Sequence, residues 1–197
     1  PPPPPPPPPF FFHAEHGIRD PLWSRGLGDV YKRQIPDKVL RKKSDAVDKV
    51  DGEILSILEN MAETMYAAPG IGLAAIQVGI TKRLVVIDCE HSEEKKKSPL
   101  YMANPEIVWT SRELSVYKEG CLSIPEFYEE IERPSECRVK YLDKKNKVQF
   151  LDCDGLLATC VQHEIDHLDG KLFIDYLSRL KRTSIEKKFI KQYKQKA

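Results

Sequence analysis

The sequence predicts an α+β fold, in which short strands lie together between helices instead of alternating with them. Two segments with apolar residues at intervals of three and four, residues 51–67 and 155–168, predict helices. A third helix is predicted from Leu177 onward. Between the first two helices, five runs rich in β-branched and aromatic residues are separated by turns, which is typical of strands. The 197 residues are enough for one domain with a buried core.

Residues 1–34 differ in composition from the rest of the chain. Residues 1–9 are all proline, and a proline run forms an extended helix in water that cannot join a packed core. Residues 13–34 show neither a helical nor a strand period. We therefore expect residues 1–34 to be a non-native or disordered extension. A proline-rich docking arm is the alternative, but such ligands need specificity residues that a pure proline run lacks.

The first predicted helix has clear boundaries. Asp51 can cap its beginning, and Pro69-Gly70 ends it. Its apolar face is formed by Ile54, Leu58, Met61 and Met65.

The predicted strands follow this helix, and a charged loop over residues 91–98 separates the first from the second. The fourth and fifth strands are joined by a hairpin turn at Lys144, Lys145 and Asn146. The strands are predicted at residues 83–88, 104–109, 113–118, 138–143 and 147–152. The second helix then covers residues 155–168, with Gly170 as the residue that terminates it.

The composition excludes several classes of protein. Hydrophobic residues make up 41% and charged residues 31%, as in ordinary globular proteins. A net charge of +1 gives no overall field toward nucleic acid or membrane, and no run of about 18 apolar residues predicts a membrane span. The five cysteines are odd in number and no secretory signal precedes them. A reducing, cytoplasmic location is therefore expected.

The strongest local motif is H-E-x-x-H, formed by His163, Glu164 and His167 on the second predicted helix. Residues four apart lie on one helical face, so both imidazoles can bind one metal ion. Glu164 can contact a water molecule at the metal without being a ligand. A separate apolar stripe for the core is formed by Leu157, Val161, Ile165 and Leu168.

Zinc metalloproteases share this motif and are the main alternative. The metzincin pattern H-E-x-x-H-x-x-G-x-x-H is matched as far as Gly170, but Phe173 occupies its last position. No histidine follows His167, and the later acids Asp175 and Glu186 are poorly placed as ligands. The third ligand must therefore come from another part of the chain.

Two further segments offer polar groups in unusual local contexts. Cys121 lies after a glycine, and its thiolate could reach a metal, although a free cysteine is more often a small buried hydrophobe. Residues 70–77 read GIGLAAIQ, where two glycines permit close approach and Gln77 supplies an amide donor. Taken alone, this glycine-containing segment is weak evidence for any function.

Together the three segments resemble the signature of the peptide deformylase family. That family shows G-x-G-L-A-A-x-Q, E-G-C-L-S and Q-H-E-x-D-H in this order. The chain has GIGLAAIQ at 70–77, EGCLS at 119–123 and QHEIDH at 162–167. The resemblance extends from Ile35 to about the C-terminus. It implies antiparallel sheets around a central metal-binding helix, a catalytic domain over residues 35–178 and a C-terminal helix in the same domain.

The resemblance also implies the reaction, which is metal-dependent hydrolysis of the formyl group from the formyl-methionine of nascent polypeptides, releasing formate. Glu164 would take a proton from water and pass it to the leaving amine. The side chain of Gln77 and the backbone N–H of Leu122 would stabilise the oxyanion. The implied ligands of a single divalent metal ion are Cys121, His163 and His167.

Candidate substrate contacts lie around these residues. Ile71, Thr159 and Cys160 are expected to form the methionine pocket, the last two because they precede His163 by four and three positions on the helix. Further candidates are Gly72, Glu119 and Gly120, of which Glu119 could instead accept a hydrogen bond from a metal-bound imidazole.

The resemblance favours iron(II) as the metal, although zinc, nickel or cobalt can occupy such a site and zinc binds more tightly than iron in general. A purely structural metal module is a further alternative. It would need a fourth ligand, for which Cys89 and His91 are spare candidates. A monomer without a membrane partner is expected.

Residues 179–197 are basic, with eight lysines and arginines and one acid, whereas residues 35–178 hold 26 acidic and 19 basic residues. The simplest interpretation is a helix with a solvated charged face. Because ribosomal RNA is a polyanion, docking of this helix on the ribosome is the alternative. The apolar side of the helix is predicted to contain Leu177, Leu180, Ser184, Ile185, Phe189 and Tyr193. The lysines predicted to face away are Lys181, Lys187, Lys188, Lys191 and Lys194.

Overall fold

The computed structural model describes residues 32–90 and 96–196, with side chains described as far as residue 191. Residues 1–31, most of the predicted N-terminal extension, lie outside this range, as do His91 and the first part of the charged loop. Within it, Arg33 already contacts the folded body, because its backbone N–H donates to the carbonyl of Gln77 at 2.7 Å. Contact with the body is therefore already present two residues before the predicted start of the domain.

The first helix, α1 (Gly52–Ala67), confirms the sequence prediction. The carboxylate of Asp51 caps it by accepting from the backbone N–H of Ile54 at 3.1 Å. The four predicted apolar residues are buried against the sheet. Short 3₁₀ turns precede and follow this helix at Lys38–Arg41 and Ala75–Val78.

A five-stranded antiparallel sheet forms the body of the molecule. In the order in which they pair, its strands are β1 (Gly72–Ala74), β2 (Leu84–Ile87), β3 (Leu100–Thr110), β6 (Glu136–Leu142) and β7 (Val148–Asp154). Four of these strands overlap predicted ones, whereas the three-residue β1 was not predicted because it is too short to show a period. The predicted hairpin turn joins β6 and β7, and Asn146 adopts a positive φ of 60° there.

A separate two-stranded sheet pairs β4 (Leu114–Cys121) with β5 (Ile124–Pro134). Strand β5 was not predicted from the sequence. Its run of glutamates, including Glu129, Glu130 and Glu132, has low β-propensity and gives no apolar alternation. Backbone pairing with β4 and burial of Ile124 and Ile131 in the core nevertheless stabilise it.

The second helix, α2 (Gly155–Leu168), lies against the large sheet. Val161, Ile165 and Leu168 are buried among sheet residues such as Val85, Ile87 and Val139. Gly170 follows α2 with a positive φ of 74°, which confirms it as the terminating residue. An added Cβ there would lie 2.5 Å from the carbonyl oxygen of Arg41, so the position also requires glycine for close packing.

A 3₁₀ turn (Phe173–Tyr176) leads to the C-terminal helix α3 (Arg179–Lys196), which begins two residues later than predicted. Ile185 and Phe189 are buried against the body as expected. Leu180 and Ser184 were wrongly placed on this apolar side: both are exposed, and Leu180 is 86% exposed. The packed stripe is narrower than predicted, because Ile185 and Phe189 are the buried residues among the side chains described on this helix. The side chains of Tyr193 and Lys194 lie outside the described residues.

None of the helices in the described part of the chain is long and apolar enough to cross a membrane.

Candidate metal and catalytic site

The fold brings together three residues from two distant segments. Cys121 is the last residue of β4, and His163 and His167 lie one turn apart on α2. Sγ of Cys121 lies 3.1 Å from Nε2 of His167, which lies 3.2 Å from Nε2 of His163. All three residues are buried. Among the described residues, this is the one cluster of three potential metal ligands with that spacing.

These three residues fit a single metal ion. Ligand atoms around a tetrahedral ion with ordinary Zn–N and Zn–S bonds lie about 3.3–3.6 Å apart, close to the separations seen here. One thiolate and two imidazoles form a donor set suited to zinc, iron, nickel or cobalt. Nδ1 of His163 donates to Oε2 of Glu119 at 2.8 Å, so its Nε2 is left with a free lone pair that faces the cluster.

Glu119 in turn depends on a buried arginine. Nε and Nη2 of Arg133 donate to the two oxygens of Glu119 at 2.6 and 3.1 Å, and Nη1 donates to Asp166 at 2.7 Å. Burial alone would favour neutral Glu119, but the hydrogen bonds from His163 and Arg133 outweigh it and lower the pKa of the carboxyl to about 2. Glu119 is therefore an anion that orients His163.

Arg133 and its further contacts were not predicted from the sequence. Its guanidinium lies 4.7 Å from the ring centroid of Tyr176, and the Tyr176 hydroxyl donates to Asp166 at 2.8 Å. The one available signal was an arginine in a strand otherwise rich in glutamate. Without a prediction of β5, that signal could not be interpreted.

Glu164 lies next to His163 on α2, with its carboxylate buried. Its Oε2 has no hydrogen-bond partner among the described residues. Burial raises the pKa of this carboxyl to about 7, although the electrostatic interaction with His163 opposes the shift. An added Cβ at Gly72 would lie 2.4 Å from Oε1 of Glu164 and 2.8 Å from Sγ of Cys160. Glycine at position 72 thus leaves room for this carboxylate.

Gln77 faces the cluster with its amide nitrogen. Its Oε1 accepts from the backbone N–H of Ala74 at 2.9 Å, which fixes the orientation of the amide. Its Nε2 lies 3.5 Å from Sγ of Cys121 and 3.4 Å from Oγ of Ser123. Both contacts are long for hydrogen bonds, so Nε2 can donate to a closer acceptor while Oε1 keeps its bond from Ala74. Leu122 directly follows Cys121 and is buried beside Gly70.

A pocket opens beside His163 and Glu164 and contains most of the predicted substrate contacts. Ile71, Glu119, Gly120, Thr159 and Cys160 line it. Three further lining residues were not assigned to the pocket from the sequence, namely Tyr117, Lys118 and Leu156. Leu156 could have been found, since it lies seven positions before His163 on the same helical face.

The alternative of a structural metal module is not supported by Cys89. Cys89 packs with the residues between the large sheet and α2 and does not join the ligand cluster. The other spare candidate, His91, lies outside the described residues.

The fold places a buried cysteine and two helical histidines around one point, next to a carboxylate and an open pocket. This arrangement defines the class of metal-dependent hydrolases with an H-E-x-x-H helix. The model of the polypeptide deformylase family matches residues 33–183. The chain therefore belongs to the peptide deformylase family.

Similar sequences and structures carry the same name. The chain is 53% identical to a peptide deformylase of Bartonella tribocorum over 82% of this chain and 92% of the relative. It is 54% identical to a peptide deformylase of Agrobacterium fabrum over 80% and 92% of the two chains. The crystal structure of peptide deformylase from Ehrlichia chaffeensis superposes with a TM-score of 0.79 and 39% identity, covering 85% of this chain and 98% of that one.

The reaction follows from membership of this family. The chain is a metal-dependent hydrolase that removes the formyl group from the N-terminal formyl-methionine of nascent polypeptides and releases formate. The protease alternative is thereby excluded as the main activity, and the α+β prediction is confirmed.

Proposed function

We propose that Cys121, His163 and His167 hold one divalent metal ion and that Glu164 is the proton-transfer group of the deformylation reaction. A metal ion held by these three residues would supply Lewis-acid chemistry to the reaction. The observation that carries the proposal is the carboxylate of Glu164. It is buried one residue from His163, and its Oε2 has no hydrogen-bond partner among the described residues.

The proton transfers and the stabilisation of the developing charge are assigned to groups of known position. Glu164 accepts a proton from the attacking water and returns it to the departing amine, so one carboxylate serves both steps. Nε2 of Gln77 and the backbone N–H of Leu122 donate to the formyl oxygen as negative charge develops on it. The long contacts of Gln77 Nε2 support this role, since little is lost when Nε2 donates to the substrate instead.

Glu164→Gln tests the proposal. The substitution keeps the size of the side chain but removes the base, so kcat should fall by at least about a hundredfold. Metal content, measured by elemental analysis, should stay at one ion per chain. Glu53→Gln on the exposed face of α1 is a matched control and should keep full activity. Near-normal turnover in Glu164→Gln would refute the assignment.

We assign the pocket lined by Ile71, Leu156, Thr159 and Cys160 to the methionine side chain of the substrate. Its walls are mostly apolar and suit an unbranched thioether. A formyl-alanyl peptide should therefore react with a kcat/KM at least about tenfold below that of the formyl-methionyl peptide. Equal values for the two peptides would contradict this placement.

We propose iron(II) as the native metal. The donor set accepts it, and a thiolate ligand in a site open to substrate makes the iron form sensitive to oxidants. Metal analysis of protein purified without air should find iron. The iron form should lose activity in air and keep it under argon, whereas a nickel form should be stable in both. Equal lifetimes of the iron form in air and argon would count against the proposal.

We propose that α3 docks the enzyme on the ribosome, since its substrate is the nascent chain. Ile185 and Phe189 bind the helix to the domain, while Lys187, Lys188 and Lys191 are exposed and available to RNA phosphates. Lys181 forms an ion pair with Glu129 and is therefore less available than the others. A merely solvated charged face is the alternative.

Charge neutralisation separates these two possibilities without removing buried residues. Changing Lys187, Lys188 and Lys191 together to glutamine should weaken co-sedimentation with ribosomes at low salt and leave hydrolysis of a short formyl-peptide intact. The matched control changes the exposed Lys42, Lys43 and Lys49 to glutamine. Equal co-sedimentation of the two triple variants would eliminate the docking role.

We also propose that residues 1–28 contribute nothing to catalysis and that the catalytic domain is a cytoplasmic monomer. Contact of Arg33 with Gln77 and the match of the family from residue 33 support a functional start near that point. Deletion of residues 1–28 should change kcat/KM by less than about threefold. Sedimentation equilibrium of the full chain measures the oligomeric state.

A further inference from the structure

Asp166 is the acidic residue of the QHEIDH segment that has no part in the proposed reaction. It lies on α2 just before His167, but its carboxylate does not join the ligand cluster. Instead, Oδ2 accepts hydrogen bonds from Nη1 of Arg133 at 2.7 Å and from the hydroxyl of Tyr176 at 2.8 Å. The side chain is only 13% exposed, so these two donors replace most of its contact with water. The carboxylate of Asp166 therefore has a fixed position.

The guanidinium of Arg133 is held on its edges and on one face. Nε and Nη2 donate to Glu119 and Nη1 donates to Asp166, so two carboxylates bind the edges of the planar group. The ring of Tyr176 covers a face, with its centroid 4.7 Å from the central carbon of the guanidinium. Because Arg133 is buried, a donor that loses its partner would be left unsatisfied at a cost in free energy. The position of the guanidinium thus depends on Asp166 and Tyr176 as well as on Glu119.

The same guanidinium determines where Glu119 meets the metal ligand His163. Oε2 of Glu119 accepts both from Nη2 of Arg133 at 3.1 Å and from Nδ1 of His163 at 2.8 Å. If the guanidinium moved, this shared oxygen would move with it, and the imidazole would lose its orientation. An unbroken series of contacts therefore leads from Asp166 through Arg133 and Glu119 to His163.

The 3₁₀ turn that carries Tyr176 also contacts His163 directly. Phe173, at the beginning of this turn, is buried, and its ring stacks on the imidazole of His163 with centroids 6.4 Å apart and 23° between the planes. Phe173 occupies the position at which the metzincin pattern has its third histidine. Instead of supplying a ligand, the turn lies beside one, which places Tyr176 close enough to act on the same imidazole.

We propose that Asp166 and Tyr176 are positioning residues for His163, acting through Arg133 and Glu119. The Tyr176 hydroxyl fixes the carboxylate of Asp166, and Asp166 in turn fixes Nη1 of the guanidinium. Nε2 of His163 is then directed at the cluster before a metal ion binds, which raises metal affinity by preorganisation. Neither residue touches the substrate or the reacting atoms. The inference rests on the proposed assignment of Cys121, His163 and His167 as ligands.

Zinc affinity separates this role from that of an ion pair that merely stabilises the fold. Full-length zinc-loaded protein is titrated with a chelator, and the apparent dissociation constants of the variants are compared. Asp166→Ala should weaken zinc binding by about tenfold, the lower end of the range for groups that orient metal ligands. Tyr176→Phe keeps the ring and removes the hydroxyl, so it should weaken binding by a smaller factor.

Asp169→Ala is the matched control for the loss of an ion pair. Oδ1 of Asp169 accepts from Nη1 of Arg83 at 2.7 Å, three positions beyond Asp166 and without contact to Glu119. This variant loses an aspartate–arginine pair next to the same helix, so it should keep the zinc affinity of the unsubstituted protein.

A double variant tests the route of the effect. If Asp166 acts through Glu119, its removal costs nothing more once Glu119 is gone. The zinc affinities of Glu119→Ala and of Glu119→Ala combined with Asp166→Ala should therefore agree within about twofold. If Asp166 acted independently, the two losses would multiply.

Unchanged zinc affinity in Asp166→Ala or in Tyr176→Phe would overturn the proposal. An equal loss in Asp169→Ala, or multiplied losses in the double variant, would do so as well. The ligand assignment is checked separately, since His163→Ala should lose tight zinc binding and would refute that assignment if it did not. Should the double variant fail to fold, the three single variants at positions 166, 169 and 176 still decide the question.

Discussion

The two faces of α2 are both buried, but one is polar and the other is apolar. One face carries His163, Glu164 and His167, and the other carries Val161 and Leu168. The apolar face is stabilised by removal of side chains from water against the sheet. The polar face depends on particular partners, as in the hydrogen bond between His163 and Glu119.

This contrast separates stability from function on a single helix. Buried polar groups cost free energy unless they are hydrogen-bonded, and here Oε2 of Glu164 and Nδ1 of His167 have no partner among the described residues. A site that leaves such groups unpaired is adapted to binding and proton transfer instead of to stability. Substitutions on the two faces should therefore affect different measurements.

The largest expected effect in this comparison comes from Glu119. Glu119→Ala removes the acceptor that orients His163 and leaves Arg133 without its main partner, so metal affinity should fall by about 10–100-fold. Competition with a chelator measures this directly, without reference to activity. Glu132→Ala, at an exposed position of β5, should leave the affinity unchanged. An unchanged metal affinity in Glu119→Ala would show that the carboxylate does not position the ligand.

A smaller effect is expected from Gly72→Ala, which leaves all ligands in place. The added methyl group would overlap Oε1 of Glu164 and Sγ of Cys160, so the carboxylate must move. Because displacement of a catalytic group by about 1 Å is costly, kcat should fall by about tenfold or more with metal still bound. Gly52→Ala provides the control, since an added Cβ there has nothing within 4 Å. Full activity of Gly72→Ala would mean that this close approach is not needed.

The smallest effect on catalysis is expected on the apolar face. Leu168→Ala opens a cavity in the core and should lower the free energy of unfolding by about 2–5 kcal/mol. Its kcat at a temperature where the protein stays folded should change by less than about threefold. Denaturant unfolding and initial rates measure the two quantities separately. A large loss of kcat in the folded variant would remove the distinction between the faces.

Local pattern was sufficient for some elements and insufficient for others. Helices α1 and α2 were predicted because their apolar side chains recur with the helical period and their ends carry Asp51 and Gly170. Strand β5 was missed because its glutamates carry no such pattern and it is stabilised by β4, a neighbour in space. The wrong prediction for the exposed Leu180 has the same cause, because the angle at which α3 meets the domain decides which side of the helix is covered.

The sequence by itself determined the family, the reaction and the candidate ligands Cys121, His163 and His167, because these reside in short contiguous motifs. Only the tertiary structure decided that Arg133 supports Glu119 and that Cys137 lies opposite Cys153. Glu119 and Arg133 lie 14 positions apart in the sequence and Cys137 and Cys153 lie 16 apart, and the pairing of their strands brings each pair together. Register depends on the pairing of whole strands, and no local run of residues encodes it.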